Sequence, residues 1–245
     1  MNLFEYYIKA CIVRGGMFSV AVLVCAVGVA GAAFYAQGSS AKKAVALTFD
    51  DGPGPSTAQI LAVLKERNVR ATFFMEGQQA RYRPALVAAV RDGGHEIGNH
   101  TYSHVNYYTA PEAGREAALG REIAEAERYI VKAASVTPRL LRMPNGYAKK
   151  WARDVVSARG YDMINWTFGC DWQPMTMAKK LDGYVRSIKP GAIFLLHDGG
   201  GRRGSTIELL PALIDEIRRQ GYEIVTISEL LGLGGVQEVH AEGGN

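Results

Sequence analysis

The chain has few cysteines and lacks the common nucleotide-binding motifs. Of its three cysteines, Cys11 and Cys25 lie in or just before an apolar N-terminal stretch, which leaves Cys170 alone in the remainder. No disulfide can form within that remainder, so we expect Cys170 to pack as a small apolar residue. No GxGxxG follows the first predicted strand and no GxxxxGK[ST] occurs anywhere in the chain. These absences argue against a nucleotide ligand.

Basic residues are present without being concentrated. The net charge is +4, with 28 Lys and Arg against 24 Asp and Glu. They are spread through the predicted helices, and no basic run is interleaved with aromatic residues. This distribution argues against a nucleic-acid partner.

Charged residues are missing altogether between Arg14 and Lys42. Within this interval, residues 17–36 are almost wholly apolar, close to the ~20 residues that a helix needs to cross a bilayer. We therefore predict one N-terminal transmembrane helix within residues 1–40, a segment comprising a cytoplasmic stub and a membrane anchor or signal. The remainder would lie outside the cytoplasm, in the periplasm or at the cell surface. No A-x-A pattern marks Ala36, which favours an uncleaved anchor, whereas cleavage would make the protein secreted.

Short β-rich runs alternate with helical patterns over residues 41–231, which predicts one α/β catalytic domain. Strands are predicted at 44–49, 70–75, 95–98, 139–142, 162–166, 192–197 and 222–227, and helices at 56–67, 78–91 (interrupted near Pro84), 111–134, 149–159, 175–188 and 206–220. This alternation, about seven β/α units, predicts parallel strands in an open doubly wound sheet or a closed barrel. Residues 232–245 are Gly-rich and polar and are predicted to be a flexible tail.

Polar side chains collect at the carboxyl ends of the predicted strands. In parallel α/β folds, loops from several strands converge at that edge and form the functional site. The residues concerned are Asp50 and Asp51, His100 and His104, Arg142, Asp171, and His197.

The two histidines and the aspartate pair predict a metal site. His100 and His104 are four residues apart, so on one helical turn their imidazoles would project to the same side. Two imidazoles and a carboxylate are a typical ligand set for a catalytic divalent cation that activates water. The same set forms the facial triad of non-haem iron oxygenases, which stays open as an alternative.

Hydrolysis of an acyl bond also requires a base, an oxyanion donor and an acid. One aspartate of the pair is a candidate base, a backbone N–H near Asn145 is a candidate oxyanion donor, and His197 is a candidate acid. Arg142 could keep the base ionised, and Asp171 could raise the pKa of His197. Each also has a structural interpretation: a surface ion pair for Arg142, a helix cap for Asp171 and a hydrogen-bonded core position for His197.

Five segments in this order, TFDDGP, HTYSH, RMPNG, CDW and LLHDG, resemble the motifs of the NodB-homology polysaccharide deacetylases, carbohydrate esterase family 4. The resemblance covers residues 44 to about 231 and implies a distorted (β/α)7 barrel following the predicted transmembrane helix. It also implies a role for each site residue: Asp50 as base, Asp51, His100 and His104 as metal ligands, Arg142 as partner of the base, the Asn145 backbone N–H as oxyanion donor, Asp171 as partner of His197, His197 as acid, and Trp172 and Leu195 as walls for the acetyl methyl group.

The resemblance further implies a reaction and a metal. The family removes acetyl groups from N-acetylglucosamine in chitin, chitooligosaccharide or peptidoglycan, and some members act on acetyl-xylan. Zn²⁺ is the usual metal, with Co²⁺ and Mn²⁺ as alternatives. We favour a membrane-anchored N-deacetylase of peptidoglycan. The other hypotheses are an O-acetyl esterase and a carbohydrate-binding protein without catalysis, and the latter would be expected to have lost Asp50 or His197.

Three further positions bear on this interpretation. Asn145 stands where the family has an aromatic residue, and Phe168 stands where it has an aspartate; both departures affect substrate preference more than activity. His95 begins a predicted strand, and we interpret it as structural. The glycine run at 199–201 is more typical of a flexible loop than of a phosphate site.

Overall fold

The computed structural model describes residues 33–233. Most of the predicted flexible tail (232–245) and most of the predicted transmembrane helix lie outside the described residues; Gly232 and Leu233 are described, and Gly232 caps the last helix. The last residues of that apolar stretch are described, and Phe34–Tyr35 form a strand instead of a helix. The sheet thus begins before the predicted domain start at residue 41. No helix within residues 33–233 is both long enough and apolar enough to span a membrane.

The described chain alternates strands and helices, as predicted. The strands are β1 (Phe34–Tyr35), β2 (Ala44–Gly52), β3 (Thr72–Met75), β4 (Glu96–Asn99), β5 (Leu140–Leu141), β6 (Asp162–Ile164), β7 (Ile193–His197) and β8 (Glu223–Val225). The helices are α1 (Thr57–Glu66), α2 (Gly77–Tyr82), α3 (Pro84–Asp92), α4 (Arg115–Ala134), α5 (Lys150–Ser157), α6 (Met177–Arg186), α7 (Gly204–Arg219) and α8 (Ile227–Leu231), with a 3₁₀ turn at Pro144–Gly146.

Every predicted strand and helix is present, with shifted ends. The interruption predicted near Pro84 is confirmed, because α2 ends at Tyr82 and Pro84 opens α3 at a position where its missing N–H costs nothing. The long helix begins at Arg115, four residues after its predicted start at 111. Two short elements were not predicted, β1 and α8.

All strands pair in parallel, in the order β1-β6-β5-β4-β3-β2-β7, with β8 also on β2. Strand β2 is buried from Ala44 to Asp50, which explains its continuous apolar run, since parallel strands are covered on both faces. Phe49 stacks on Phe73 of β3 at 4.9 Å between ring centroids. The result is a parallel sheet covered by helices, consistent with the (β/α)7 fold implied by the motifs.

The chain after β6 is bonded to β7 at the other end of the strand order. Phe168 pairs in parallel with Phe194 through an isolated bridge, and the N–H of Leu195 donates to the Phe168 carbonyl at 2.9 Å. Phe168 also packs edge-on against Tyr184 of α6, 5.1 Å between centroids, so this position is part of the core. The bridge brings Asp171 and Trp172 to the carboxyl end of β7.

Candidate active site

The two adjacent aspartates separate because the backbone changes conformation between them. Asp50 continues β2 and is 3% exposed. Asp51 has a φ of 68°, in the left-handed region that non-glycine residues rarely adopt, and the pairing with β3 shifts register between Asp50 and Gly52. The strand alternation therefore ends at Asp51 itself, and the two carboxylates reach different partners.

Asp50 is held by a buried arginine. Arg142, at the end of β5, is fully buried and donates through Nη1 to Asp50 Oδ1 and to Thr48 Oγ1, both at 2.7 Å. Its remaining donors reach backbone carbonyls, and its guanidinium lies 4.2 Å from the Phe74 ring centroid. Burial lowers the pKa of Arg142, and the Asp50 charge opposes that effect. The surface ion pair considered for Arg142 is therefore wrong.

The second oxygen of Asp50 points towards the histidines. Asp50 Oδ2 lies 3.8 Å from His100 Nε2, whereas Oδ1 is taken by Arg142. Asp50 thus has one oxygen bound by the Arg142 guanidinium. Its other oxygen faces the place where a metal and its water would bind. In β-sheet register, Asp50 is also paired with His197 on β7.

The segment carrying His100 and His104 is a loop and not a helical turn, which corrects the sequence expectation. Thr101 and His104 have φ values of 64° and 54°. Glu122 of α4 accepts from the backbone N–H groups of Tyr102 and Ser103 at 3.0 and 2.7 Å. Loop hydrogen bonds therefore bring the two imidazoles together where helical periodicity was expected to do so.

His100, His104 and Asp51 form a site suited to a divalent cation. Their potential ligand atoms lie within 4.8 Å of one another, and Asp51 Oδ1 is 3.4 Å from both Nε2 atoms. The Nδ1–H of His100 donates to the Arg142 carbonyl at 2.8 Å, which orients the ring with Nε2 towards Asp51. This donor set fits the metal that the motifs imply.

Opposite charges in the site lower the pKa of Asp51 and raise the pKa of His100. Burial alone would raise the pKa of Asp51, but its hydrogen bond with His100 and the charge of that ring hold the pKa well below its usual range. Burial lowers the pKa of His100, yet the charges of Asp50 and Asp51 outweigh it and raise the pKa to about 9. A metal must therefore displace a proton from His100.

His197 is oriented by Asp171. Its Nδ1 is 2.9 Å from Asp171 Oδ1, and its backbone N–H donates to Oδ2 at 3.0 Å. Thr206 of α7 also donates to that Oδ2, at 2.7 Å. Burial lowers the pKa of His197, but the hydrogen bond and charge of Asp171 outweigh burial and raise it overall. The helix cap considered for Asp171 is wrong, because Thr176 caps α6.

These side chains surround one pocket of about 410 Å³. Its lining contains eight of the ten predicted site residues and two that were not predicted: Asp50, Asp51, His100, His104, Asn145, Trp172, Leu195 and His197, with Trp166 and Arg203. Arg142 and Asp171, the other two, lie behind this lining and contact Asp50 and His197. Trp172 is 46% exposed and packs edge-on against His197, 5.1 Å between centroids, while Leu195 is buried.

Sequence reasoning missed Trp166 and Arg203. Trp166 ends the predicted strand at 162–166, so its position at the same edge was the signal that could have identified it. Arg203 follows the glycine run at 199–201 and had no such signal. It reaches the site because the backbone at Gly199 packs directly on Asp51, where a Cβ would collide with the Asp51 carbonyl.

Two residues considered in the sequence lie away from this pocket. His95 Nδ1 accepts from the Ala71 N–H at 3.2 Å, and its ring packs against Phe73. Cys170 is 3% exposed in the main apolar cluster, as expected. Neither belongs to the group of potential metal ligands found within residues 33–233.

Comparison with known proteins gives the same family as the motifs. A protein-family profile described as polysaccharide deacetylase matches residues 37–164. A peptidoglycan-N-acetylglucosamine deacetylase of Bacillus cereus is 36% identical over 194 residues, 78% of this chain and 89% of the relative. A chitooligosaccharide deacetylase of Bradyrhizobium sp. is 33% identical over 210 residues, 78% of this chain and 92% of the relative.

Solved structures of the same fold support this. A peptidoglycan N-acetylglucosamine deacetylase has a TM-score of 0.77 at 28% identity, covering 84% of this chain and 94% of that one. A family 4 carbohydrate esterase from Streptomyces lividans has a TM-score of 0.67 at 29% identity, covering 75% and 91%. A pseudoenzyme of the same family from Bacillus anthracis has a TM-score of 0.73 at 30% identity, covering 81% and 68%. The chain belongs to the polysaccharide deacetylases of carbohydrate esterase family 4.

Proposed function

We propose that this protein hydrolyses the acetamido group of N-acetylglucosamine residues in peptidoglycan and releases acetate. The observation that carries the proposal is that a candidate base, a candidate acid and three potential metal-ligand atoms line a single pocket. The choice of substrate rests on the relatives, which include a peptidoglycan deacetylase at 36% and a chitooligosaccharide deacetylase at 33% identity.

In this reaction the protein's own residues move the protons. Asp51, His100 and His104 would hold a divalent cation, which we propose to be Zn²⁺ with Co²⁺ or Mn²⁺ as substitutes, and which would supply an acidified water and polarise the acyl oxygen. Asp50 Oδ2 accepts the proton from the attacking water while Arg142 binds the other carboxylate oxygen and orients the group. His197, kept protonated by Asp171, donates a proton to the departing sugar amine.

The remaining lining residues orient the acetyl group. The backbone N–H of Asn145, in a turn with φ of 56° at that residue, is the proposed oxyanion donor. Trp172 and Leu195 provide the apolar walls for the methyl group, since both line the pocket beside His197. We further propose that the strands form the family's distorted barrel, with the bridge between Phe168 and Phe194 at its closure.

The cellular location is part of the proposal. The charge-free apolar segment that precedes β1 is proposed to anchor the protein in the membrane, with the catalytic domain outside the cytoplasm. An anchored domain would be held beside the cell wall, where peptidoglycan is the available N-acetylglucosamine polymer. A protease-protection assay on spheroplasts or protoplasts would test this, because protease added from outside then reaches an extracytoplasmic domain and does not reach a cytoplasmic one.

The test of the function is acetate release by the purified, detergent-solubilised chain. Peptidoglycan, chitopentaose and acetyl-xylan are supplied with zinc, and each reaction is repeated with a chelator. We expect release from peptidoglycan that the chelator abolishes and zinc restores. Release from acetyl-xylan alone would favour the O-acetyl esterase hypothesis, and no release from any substrate by zinc-loaded protein would refute the enzyme.

A protein without catalysis is the other hypothesis that an observation supports, since one similar structure is described as a pseudoenzyme. The pocket of this protein argues against a loss of catalysis, because Asp50, His197 and the three potential metal ligands all line it. Binding of chitopentaose without turnover by zinc-loaded protein would reverse this conclusion.

A further inference from the structure

We propose that Arg203 is a positioning residue for the metal-ligand carboxylate of Asp51. In this role its guanidinium holds one carboxylate oxygen so that the other is presented to the cation together with His100 and His104. The inference rests on the proposed metal site. It assigns a function to a residue outside the five motifs.

The two oxygens of Asp51 have different partners. Oδ1 lies 3.4 Å from Nε2 of His100 and 3.4 Å from Nε2 of His104. Oδ2 lies 3.3 Å from Nη2 of Arg203. A carboxylate whose second oxygen is bound in this way offers a single, oriented oxygen to a metal.

Arg203 is itself fixed at several points. Its Nε donates to the Gly199 carbonyl at 2.5 Å, and its backbone N–H donates to Ser56 Oγ at 2.9 Å. It directly precedes Gly204, the first residue of α7, and its side chain is only 18% exposed. Because both the backbone and the side chain are bonded, little rotamer freedom is left to be lost when it contacts Asp51.

The glycine at position 200 leaves room for this contact. Gly200 has a φ of 67°, and a Cβ there would lie 2.7 Å from both Arg203 Nη2 and Asp51 Oδ2. Any larger residue would therefore separate the ion pair. Gly199 and Gly200, part of the glycine run that the sequence suggested to be a flexible loop, thus pack closely against Asp51.

A cation beside a metal ligand has two opposite effects. The positive charge of Arg203 repels an incoming metal, which would weaken binding, while orientation of the Asp51 carboxylate strengthens it. Hydrogen bonds to metal ligands typically improve metal affinity by about 10–100-fold. The ion pair is partly solvated, which weakens the repulsion. We therefore expect the orienting effect to prevail.

The experiment is a measurement of zinc affinity by competition with a chromophoric chelator, on the full chain in detergent. Arg203→Met should bind zinc about 10–100-fold more weakly than the wild type. Arg203→Lys, which keeps the charge without the planar fork, should recover part of that loss. The matched control is Arg202→Met, at the exposed neighbouring arginine, which should bind zinc like the wild type.

The outcomes separate positioning from a purely structural role. Unfolding midpoints of the metal-free proteins show whether each variant folds. If Arg203→Met does not fold, the zinc affinity of Arg203→Lys tests the proposal. Unchanged or tighter zinc binding in folded Arg203 variants would overturn the proposal. Zinc binding is read whether or not acetate is released, so a wild type that binds zinc and lacks activity would refute the proposed function alone, while a wild type that binds no zinc would refute both.

Discussion

Asp50 and Asp51 are neighbours in the chain, yet they belong to two regions of the site with different structures. The first region, here called the base side, comprises Asp50, Thr48 and Arg142, all buried and all on or next to strands. The second, the metal side, comprises Asp51, His100, His104 and Arg203. Apart from buried His100, its side chains are partly exposed, and they stand on loops or in left-handed conformations.

The difference shows how one residue type acquires two roles. Asp50 is held in a fully buried ion pair within the sheet, which is expensive to break and keeps one orientation. Asp51 meets a partly exposed arginine and two imidazoles, an arrangement that stores little folding energy and forms a site for a cation. Environment, and not residue type, separates the proposed base from the proposed ligand.

The largest expected effect is on turnover, when each of the two aspartates is replaced in turn by asparagine. Asp50→Asn should lower turnover about 10²–10⁴-fold, because the base is lost, while zinc affinity stays near the wild-type value. Asp51→Asn should instead weaken zinc binding, because a neutral amide replaces the charged ligand. Acetate release and zinc titration measure both quantities. Equal loss of zinc in the two variants would contradict the assignment.

The next effect tests the difference in folding energy. Arg142→Met should destabilise the protein by about 3–5 kcal/mol, because it leaves the Asp50 carboxylate buried without its partner. Arg203→Met should cost less than about 1 kcal/mol, because that pair is partly solvated. Urea unfolding of the two metal-free variants and the wild type measures both losses in free energy of unfolding.

A double variant checks the cause on the base side. Adding Asp50→Asn to Arg142→Met removes the unpaired charge and should recover part of the lost stability. If the double variant instead loses as much stability as the two single variants together, Arg142 acts through packing on Phe74 and Trp166 and not through charge.

The pH dependence tests the acid, His197, which stands next to the base side. Its pKa is raised by Asp171, so the wild type keeps the acid protonated to higher pH. Asp171→Asn removes that effect and leaves burial, which lowers the pKa, opposed only by the charges of Asp50 and Asp51. The alkaline limb of the kcat/KM profile should therefore move to lower pH. Asp182→Asn, at an exposed carboxylate on α6, is the control, and an unmoved alkaline limb in Asp171→Asn would count against His197 as the acid.

The smallest effect tests whether the metal side depends on its loop. Glu122→Gln loses the charge that accepts from the backbone N–H groups of Tyr102 and Ser103. Zinc affinity should fall by no more than about 10-fold, the lower end of the range for indirect supports of a metal site. Glu125→Gln on the same helix, whose partner is the exposed Arg128, should leave zinc affinity unchanged. A loop shift without any change in zinc affinity would show that the metal side does not depend on this loop conformation.

The parts that were predictable follow from local rules. The alternation of apolar runs and amphipathic helices predicted every strand from β2 to β8, and the end of each strand predicted where Asp50, Arg142 and His197 would meet. The break before Pro84 was predictable because proline lacks the backbone N–H that a continuing helix requires. Strand β1 was not predictable, because Phe34–Tyr35 belongs to an apolar stretch whose length and lack of charge indicate a membrane helix.

The arrangement of the metal side was decided by tertiary contacts. The spacing of His100 and His104 was compatible with a helix. The loop that brings them together is held instead by contacts from elsewhere in the chain, namely Glu122 of α4 and the N–H groups of Gly77 and Gln78, which donate to the Thr101 and Tyr102 carbonyls. Likewise Arg203 reaches Asp51 because Gly199 and Gly200 allow two backbones to approach closely, a contact between residues about 150 positions apart.

The sequence by itself therefore determined the order of the elements, the edge of the sheet at which the polar residues collect and the family of the protein. Local periodicity and strand ends encode these features, since they depend on neighbouring residues only. The tertiary structure alone decided which carboxylate oxygen faces which partner, and that Arg203 belongs to the site. Those contacts join segments distant in the chain, whose meeting depends on the packing of the whole sheet.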